Sequence, residues 1–267
     1  MLRHRGWFSL RFAMIANYHT HTMRCKHALG TDEEYVLEAI KYGYKVLAFT
    51  DHSPWPLHPF ESASIRMDIS ELAEYVDSIQ LLKMKYKDII EIKLGLEAEY
   101  FEDRIDWLKR MKELFEMDLL IFGNHFHKKI TYGTYYAFYN NPQQVLDHYR
   151  DDSIAGLRTG LFSIFAHPDI FARSVRTWDD KAEDMSREII RCAKSQGVLL
   201  EFNLGGMRSH AGYPYLPFWK IVAQEKAPTI IGIDAHSPSD LSDYDSVNEA
   251  KRILKELNIQ VTEIVTD

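Results

Sequence analysis

The sequence is poor in cysteine, with only Cys25 and Cys192 among its 267 residues. Two cysteines cannot build the disulfide framework that stabilises small secreted domains, so a reducing cytoplasm is the expected location. No apolar run approaches the roughly 20 residues that a membrane-spanning helix needs, which predicts no membrane partner. Basic residues number 32 against 39 acidic ones, and the net charge of −7 gives no reason to expect a nucleic-acid partner.

The chain also lacks the short motifs that mark several large enzyme classes. It contains no GxxxxGKS/T phosphate loop, no glycine fingerprint of a dinucleotide-binding fold and no GxSxG nucleophile turn. It does contain 12 histidines, in a composition that is otherwise ordinary for a globular protein, with 46% hydrophobic and 27% charged residues. The positions of these histidines therefore carry most of the functional information.

Short apolar segments alternate with amphipathic ones along the chain. The seven strand candidates are MIANYH, VLAFTDH, IEIKLGLEAEY, LLIFGNHFH, FSIFAHPD, VLLEFNL and TIIGIDAHS, and a terminal IQVTEIV is a candidate for an eighth, edge strand. Helical patterns lie between them, and the first has a capping box at Thr31 and Glu34 and stops at Gly43. This alternation predicts parallel βα units, and seven or eight such units favour a closed α/β barrel over an open sheet.

The chain shows no linker, low-complexity segment or short repeat, so residues 14–267 are predicted to form a single domain. The first strand candidate begins at Met14. Residues 1–13, MLRHRGWFSLRFA, are basic but lack the sustained apolar core and cleavage site of a signal peptide. We expect them to be a dispensable extension or the product of a misplaced start.

The first strand candidate ends in NYHTHT, with His19 and His21 at alternate positions. Residues i and i+2 of an extended strand point to the same face, so the two imidazoles would converge on one point, as they do in a metal site. The alternative is a pair of surface histidines where a strand runs into a loop. The ends of the other strand candidates decide between these interpretations.

Each strand candidate ends in side chains that can bind a metal or a phosphate. In chain order these pairs are His19 and His21, Asp51 and His52, Glu97 and Glu99, His125 and His127, His167 and Asp169, Glu201 and Asn203, and Asp234 and His236. Active sites of βα barrels are built at the carboxyl ends of the strands. Seven of the 12 histidines occupy these ends and His27 follows the first closely, a distribution that scattered surface histidines would not produce.

The candidate ligands narrow the choice of metal. They offer nitrogen and oxygen only, which suits zinc, iron or manganese, and Cys25 fits a loop residue better than a ligand. One metal needs three or four protein ligands, so about nine candidates predict two or three divalent transition metal ions. Clustered metals stabilise the attacking and leaving oxygens of a phosphoryl displacement and lower the pKa of bound water to about 7. The expected partner is therefore a small phosphorylated metabolite.

Several of these motifs together resemble a known superfamily. HTH followed by His27, then FTDHSP, GLEAEY, NHFH, AHPD and DAH, are similar to the ordered motifs of the PHP (polymerase and histidinol phosphatase) superfamily. The segment LEFNLGGMRSHAGYPY further resembles the histidinol-phosphatase branch. The resemblance implies a distorted seven-stranded (β/α) barrel with a trinuclear metal site. It also implies hydrolysis of L-histidinol phosphate, the phosphatase step of histidine biosynthesis.

The resemblance also implies a role for individual residues. The first metal would be held by His19, His21, Glu97 and Asp234, the second by His27, His52 and His236, and the third by His125 and His167 with Glu97 as a bridge. Arg208 and Arg173 are candidates for clamping a phosphate dianion. Asp51 and His127 are candidates for the acid that protonates the leaving alkoxide, and a register error of two would exchange His127 with His125.

Other interpretations keep part of this account. The same chemistry could serve a nucleotide, a sugar phosphate or phosphotyrosine, and further alternatives are a nuclease, an amidohydrolase or a scaffold without activity. A cationic leaving group would suit a pocket rimmed by acids and aromatics, for which the loops offer Glu61, Asp68, Trp55 and Tyr213. The sequence does not indicate an oligomeric state.

Overall fold

A computed structural model describes residues 14–57, 64–128, 133–139 and 141–265. The predicted extension at 1–13 lies outside the described residues, so its role stays a prediction. The strands are β1 Ala16–Asn17, β2 Val46–Phe49, β3 Glu91–Ala98, β4 Leu119–Phe122, β5 Phe126–His127, β6 Thr134–Tyr135, β7 Ile164–Phe165, β8 Leu199–Asn203 and β9 Thr229–Gly232. The α-helices are α1 Asp32–Tyr42, α2 Leu72–Tyr86, α3 Ile105–Leu114, α4 Pro142–Leu157, α5 Asp180–Ser195, α6 Leu204–Arg208, α7 Leu216–Glu225 and α8 Tyr244–Glu256.

Seven of the strands form one sheet in the order β1-β2-β3-β4-β7-β8-β9, and every neighbouring pair is parallel. The first and last strands approach each other through a parallel bridge between Thr20 and Ala235. Around this bridge, Ala235 N donates to His19 O at 3.1 Å and His21 N donates to Ala235 O at 2.8 Å. The sheet is thus a nearly closed barrel, which confirms the predicted distorted seven-stranded (β/α) fold.

Apolar side chains on the two faces of the strands form two separate cores. Alternate residues of the strands point into the barrel, where Ala16, Tyr18, Val46, Ala48, Leu119, Ile121, Ile164, Ala166, Leu199 and Ile230 are buried together. The other face packs against the helices in a much larger cluster. The inner apolar layers fill the barrel below the strand ends, so the polar strand ends lie on a packed floor rather than over a channel.

The helices follow their sequence signals closely where these are strong. Thr31 caps α1 with a reciprocal bond to Glu34, and Gly43 ends the helix at φ 84°, a left-handed conformation that glycine adopts without strain. No helix within the described part of the chain is long and apolar enough to cross a membrane.

Three local features differ from the sequence-based expectations. The segment LLIFGNHFH is not one strand, because β4 ends at Phe122 and a loop separates it from the hairpin of β5 and β6. The predicted eighth strand is reduced to a single bridge between Thr229 and Val261. Two helices, α6 and α7, were not predicted, since LGGMR is glycine-rich and LPFWKIVAQE is apolar on more than one face.

Candidate metal centre

The carboxyl ends of the barrel strands surround a cavity of about 390 Å³. Its lining consists of His21, His27, His52, Ile65, Glu97, His125, Phe126, Tyr135, His167, Ile170, Tyr213, Asp234 and His236. Eight of these thirteen residues are metal-ligand candidates from the sequence, and they come from distant parts of the chain. The barrel topology therefore brings together side chains that the sequence separates by up to about 200 residues.

One group of donors, from His19, His21, Glu97 and Asp234, has the dimensions of a tetrahedral metal site. The Nε2 atoms of His19 and His21 are 3.0 Å apart. Each lies 3.4–3.5 Å from Glu97 Oε2 and from Asp234 Oδ1. Zinc with bonds of about 2.1 Å would separate the ligand atoms of a tetrahedron by about 3.4 Å. The four side chains therefore fit a metal ion.

The second oxygen of Glu97 belongs to a different group of donors. Its Oε1 lies 3.0 Å from His167 Nε2 and 3.3 Å from His125 Nε2, and these two nitrogens are 3.3 Å apart. Glu97 thus faces two donor groups with its two oxygens, which is the geometry that a bridging carboxylate requires. His125 takes part in this group, whereas His127 does not.

A third group combines His27, His52 and His236, whose donor atoms all lie within 4.8 Å of one another. The Nε2 atoms of His27 and His236 are 2.9 Å apart. His52 also connects this group to the bridge, because its Nδ1 lies 2.9 Å from Glu97 Oε2. The three sets predicted from the sequence are therefore each assembled in space, with Glu97 at their centre.

Hydrogen bonds on the far side of the rings orient the metal-facing nitrogens. His19 Nδ1 is 2.8 Å from Glu201 Oε1, and His125 Nδ1 is 3.1 Å from Glu99 Oε1. Backbone carbonyls serve in the same way for His27, through Cys25 O at 2.6 Å, and for His236, through Asp234 O at 3.1 Å. An acceptor at Nδ1 leaves the Nε2 lone pair of a neutral ring free for a metal, as is usual in protein metal sites.

The charge balance of the described core also calls for cations. Seven carboxylates are buried, namely Asp32, Asp51, Glu97, Glu99, Asp169, Glu201 and Asp234. Arg66 is the one buried arginine or lysine among the described residues, and the partly buried Arg24 pairs with Asp32. Glu97 Oε2 and His52 Nδ1 face each other at 2.9 Å, and both atoms are buried without a well-aligned hydrogen bond. Because buried charges in proteins are paired or coordinate metals, this site fits divalent cations.

The donors strongly perturb one another's proton affinity. Burial alone would raise the pKa of Glu97, but His125, His19 and His52 lower it well below its usual range. Burial would likewise lower the pKa of His125, yet Glu97 and Glu99 outweigh it and raise the pKa to about 9. For His52, burial dominates and lowers the pKa to about 4. Groups perturbed in opposite directions within one cavity are typical of functional sites.

Backbone strain and a close approach accompany these donors. His167 and Asp234 have φ of 32° and 51°, in a region that costs non-glycine residues about 1–3 kcal/mol and is often used at functional sites. Gly123 follows strand β4, and a Cβ there would come within 2.4 Å of Glu97 Oε1 and 2.5 Å of His125 Cε1. A side chain at this position would therefore displace the bridging carboxylate.

A buried ion pair supports His125 and was not predicted from the sequence. Arg66 donates to both oxygens of Glu99, at 2.8 and 3.1 Å, and Trp55 Nε1 donates to Glu99 Oε2 at 2.8 Å. Arg66 and Glu99 are each about 1% exposed. These bonds fix the carboxylate of Glu99, which in turn keeps the Nδ1 atom of His125 directed at Glu99. Nothing in the segment around Arg66 distinguishes it from a surface arginine, so no sequence signal could have identified this pair.

The structure does not bring the two candidate acids to the cavity lining. Asp51 is fully buried behind His21 and accepts hydrogen bonds from Thr22 N at 2.7 Å and from Cys25 Sγ at 2.8 Å. His127 faces helix α4, where its Nδ1 lies 2.8 Å from Asp152 Oδ2. The alternation in sequence predicts that His127 lies beside His125. It does not, because the chain turns into the β5–β6 hairpin. A role for either residue as proton donor stays a prediction.

The two candidate phosphate-binding arginines lie near the site, although neither is among the described residues that line the cavity. Arg208 donates to Asp234 O at 3.1 Å, lies within 4 Å of Asp240 and Asp243, and has a buried Nη1 without a hydrogen-bond partner. Arg173 is exposed and lies 4.5 Å from the ring centre of Phe138.

The non-ligand wall of the cavity is aromatic and aliphatic. It consists of Ile65, Phe126, Tyr135, Ile170 and Tyr213, and the rings of Phe126 and Tyr135 are 5.3 Å apart. Four residues were expected to rim the pocket. Among those that the structure describes, Tyr213 is the one that lines the cavity. Asp68 caps a short helix, Trp55 is buried against Glu99, and Glu61 lies outside the described residues.

Comparisons with known proteins agree with this architecture. The chain is 27% identical to a protein of Deinococcus radiodurans named a probable histidinol-phosphatase, over 85% of this chain and 88% of the relative. It is 24% identical to the histidinol-phosphatase of Bacillus subtilis, over 84% and 94%. Its fold matches histidinol phosphate phosphatase of Lactococcus lactis, solved with zinc, L-histidinol and phosphate, with a TM-score of 0.73, 19% identity and coverage of 93% and 95%.

Comparison with protein-family models identifies the family of this chain more directly than any single relative does. The family model for the PHP domain matches residues 17–204, which include seven of the nine ligand candidates. Asp234 and His236 follow the matched range and complete the donor groups in space. The resemblance inferred from the motifs is therefore confirmed, and the chain belongs to the PHP domain family.

Proposed function

We propose that this protein is a metal-dependent phosphomonoesterase that hydrolyses L-histidinol phosphate to L-histidinol and phosphate. The observation that carries the proposal is the sharing of Glu97 by the donor groups beneath one cavity of about 390 Å³. The names of the relatives in Deinococcus, Bacillus and Lactococcus support the choice of substrate. Histidine biosynthesis in the cytoplasm is the matching pathway and location, and the free thiols fit a reducing compartment.

Three divalent ions are proposed for the site, chosen from zinc, iron and manganese by the nitrogen and oxygen donors. They would be held by the sets His19, His21, Glu97 and Asp234; His27, His52 and His236; and Glu97, His125 and His167. When bound there, such ions supply positive charge to phosphate oxygens and lower the pKa of bound water to about 7.

The protein's own contribution begins with the phosphate group. Arg208 Nη1 is buried without a hydrogen bond, 3.9 Å from Asp243 Oδ2, and we propose that it donates to a phosphate oxygen when the substrate binds. Arg173 is the second proposed phosphate ligand, and it packs beside Gly212, the neighbour of the cavity residue Tyr213. An arginine fork matches the geometry of a phosphate better than a lysine does.

The aromatic wall is proposed to hold the leaving group. Histidinol carries an imidazole and an ammonium group, and Phe126, Tyr135 and Tyr213 offer ring faces on which a flat or cationic group can stack. Apart from Glu97 and Asp234, the described lining contains no acid, so the amine would be recognised by ring faces rather than by an ion pair. The same aromatic wall would also suit the aryl leaving group of phosphotyrosine, which is the second candidate substrate.

The leaving alkoxide needs a proton, for which Asp51 and His127 remain the proposed sources. Burial raises the pKa of Asp51 to about 6, near the range in which a carboxyl group can exchange protons at neutral pH. Because neither side chain lines the cavity, a proton from either would have to pass through a water or another side chain.

A depletion and reconstitution experiment tests the proposed function. Protein treated with a chelator and then dialysed should release no phosphate from L-histidinol phosphate, and added zinc or manganese should restore turnover. Asp234→Asn, which removes one negatively charged donor while keeping its shape, should not be restored. Turnover that persists after complete metal depletion would contradict the proposal.

A further inference from the structure

Cys25 is fully buried beneath the metal centre, although none of the proposed ligand sets uses it. It ends a short 3₁₀ helix, Met23–Cys25, that follows the first barrel strand. Its Sγ lies 2.8 Å from Asp51 Oδ1 and 3.3 Å from His21 Nδ1. The backbone nitrogen of His52 also donates to this sulfur, at 3.3 Å. The thiol therefore connects a buried carboxylate to two of the proposed ligand residues.

The chemistry of these groups determines where the protons lie. A carboxylate only accepts hydrogen bonds and a thiol has one proton to give, so the Cys25 S–H donates to Asp51. The sulfur is then left to accept from His21 Nδ1–H and from the His52 backbone N–H.

This arrangement completes a pattern that runs through the site. Glu201 and Glu99 accept from the far nitrogens of His19 and His125, and a backbone carbonyl accepts from that of His236. His21 instead has a thiol in that position. The carbonyl oxygen of Cys25 accepts from His27 Nδ1 at 2.6 Å, so one residue contacts histidines of two different donor groups.

We infer that Cys25 is a positioning residue whose protonated thiol links Asp51 to His21 and so keeps the His21 Nε2 lone pair directed at the metal between Glu97 and Asp234. The inference rests on the proposed metal centre. It assigns Asp51, in its ionised form, a second role beside that of proposed proton source, as the acceptor that fixes the direction of the thiol proton.

Direct coordination by Cys25 is the competing role, because its sulfur lies within 4.8 Å of donor atoms of His21 and His52. The hydrogen bonds argue against it, since His21 faces this sulfur with Nδ1 while its Nε2 lies 3.4 Å from Asp234 Oδ1 and Glu97 Oε2. A metal at the sulfur would have to replace both the thiol proton and the His21 Nδ1 proton.

Zinc affinity of the full-length protein tests the inference, measured by competition with a chromophoric chelator. Removal of an outer hydrogen-bond partner of a metal ligand typically costs 10–100-fold in affinity, so Cys25→Ala should weaken zinc binding by about that factor. Cys25→Ser retains a donor and an acceptor and should recover most of the loss. Cys192→Ala, on helix α5, is the matched control and should bind like the wild type.

Two further measurements separate positioning from folding and from coordination. A purely structural role would lower the melting temperatures of metal-free and zinc-loaded Cys25→Ala equally, with unchanged zinc affinity, and would overturn the inference. Nitrogen-15 histidine spectra of the zinc-loaded wild type should show His21 protonated at Nδ1, a test that needs no variant. Protonation at Nε2, or a sulfur-to-cobalt charge-transfer band in the cobalt protein that Cys25→Ser abolishes, would also overturn it.

Zinc binding by the wild-type protein distinguishes a failure of this inference from a failure of the proposed function. A wild-type protein that binds no zinc would overturn the metal centre and the role of Cys25 together. A wild type that binds zinc, with Cys25→Ala binding equally well, would remove only the role of Cys25.

Discussion

The Nε2 atoms of His19 and His21 face each other at 3.0 Å, while the Nδ1 atoms of both rings point to other partners. Two lone pairs at this distance repel unless a proton or a metal ion lies between them and their neighbours. We therefore expect protein purified without chelator to contain more than one transition metal per chain, approaching three. Elemental analysis checks this number, and a reproducible value at or below one after metal supplementation would contradict it.

The first donor set can be tested by one isosteric change. Asp234→Asn removes a negative charge that lies 3.4–3.5 Å from both histidines, so it should lower the metal content by at least one ion and abolish turnover. Far-ultraviolet circular dichroism should stay unchanged because the barrel core is untouched. Activity close to that of the wild type would show that the site has been misplaced.

Metal binding should release protons in the neutral range. Burial lowers the pKa of His19 and His125, but nearby carboxylates outweigh it, raising the first well above its usual value and the second to about 9. A protonated ring must lose its proton to bind metal, so affinity should rise with pH, and the part of the rise that is due to His125 should end near pH 9. Calorimetry in buffers of different ionisation enthalpy should detect about two protons released, and an affinity independent of pH would refute this account.

The Arg66–Glu99 pair makes a stability prediction that does not depend on activity. Arg66→Met leaves the buried Glu99 without its cationic partner, so it should cost about 3–5 kcal/mol of unfolding free energy. Arg252→Met, whose pairs with Glu249 and Glu256 are exposed, is the control and should leave stability unchanged. Denaturant unfolding of both variants measures the difference, and equal effects would mean that burial of the pair does not matter.

Arg208 should act on every phosphate monoester alike. If Arg208 Nη1, which is buried without a hydrogen bond, binds phosphate in the transition state, Arg208→Ala should lower kcat/KM by roughly 10²–10³-fold, about 2–4 kcal/mol, for each substrate tested. Metal content must be measured in parallel, because Arg208 also donates to Asp234 O. Arg191→Ala, on the surface, is the control. A loss confined to one substrate would place Arg208 at the leaving group instead.

The cavity wall predicts a change in preference rather than in chemistry. Phe126→Leu and Tyr135→Leu should lower kcat/KM for L-histidinol phosphate more than for a phosphate ester of an acyclic amino alcohol. Product inhibition by inorganic phosphate should stay the same, because the rings do not touch the phosphate in this account. An equal loss for both esters would argue against stacking of the imidazole.

The barrel and most of the donor set were predictable because they depend on local patterns. Strand and helix periodicity identifies the seven units, and parallel strands must end at the same rim, which brings His19, Glu97 and Asp234 together whatever the loops do. The resemblance to the PHP superfamily then assigned each donor to a set.

Other features depend on contacts between distant segments or on loop geometry. Arg66 is an arginine in a loop until the fold buries it against Glu99, 33 residues away. His127 continues the alternation of His125 in sequence. Strand β4, however, ends at Phe122, and His127 lies in the β5–β6 hairpin that follows. The thiol of Cys25 contacts Asp51 only because the segment after strand β2 brings that carboxylate beside it.

The most direct test of the central claim is the kcat/KM of the metal-reconstituted protein over a panel of phosphate monoesters. The panel should contain L-histidinol phosphate, nucleoside monophosphates, sugar phosphates and phosphotyrosine at equal metal loading. The account predicts the highest kcat/KM for L-histidinol phosphate. A nucleoside monophosphate or sugar phosphate hydrolysed with higher kcat/KM would contradict the assigned substrate, and the absence of phosphate release from every ester would contradict the assigned chemistry.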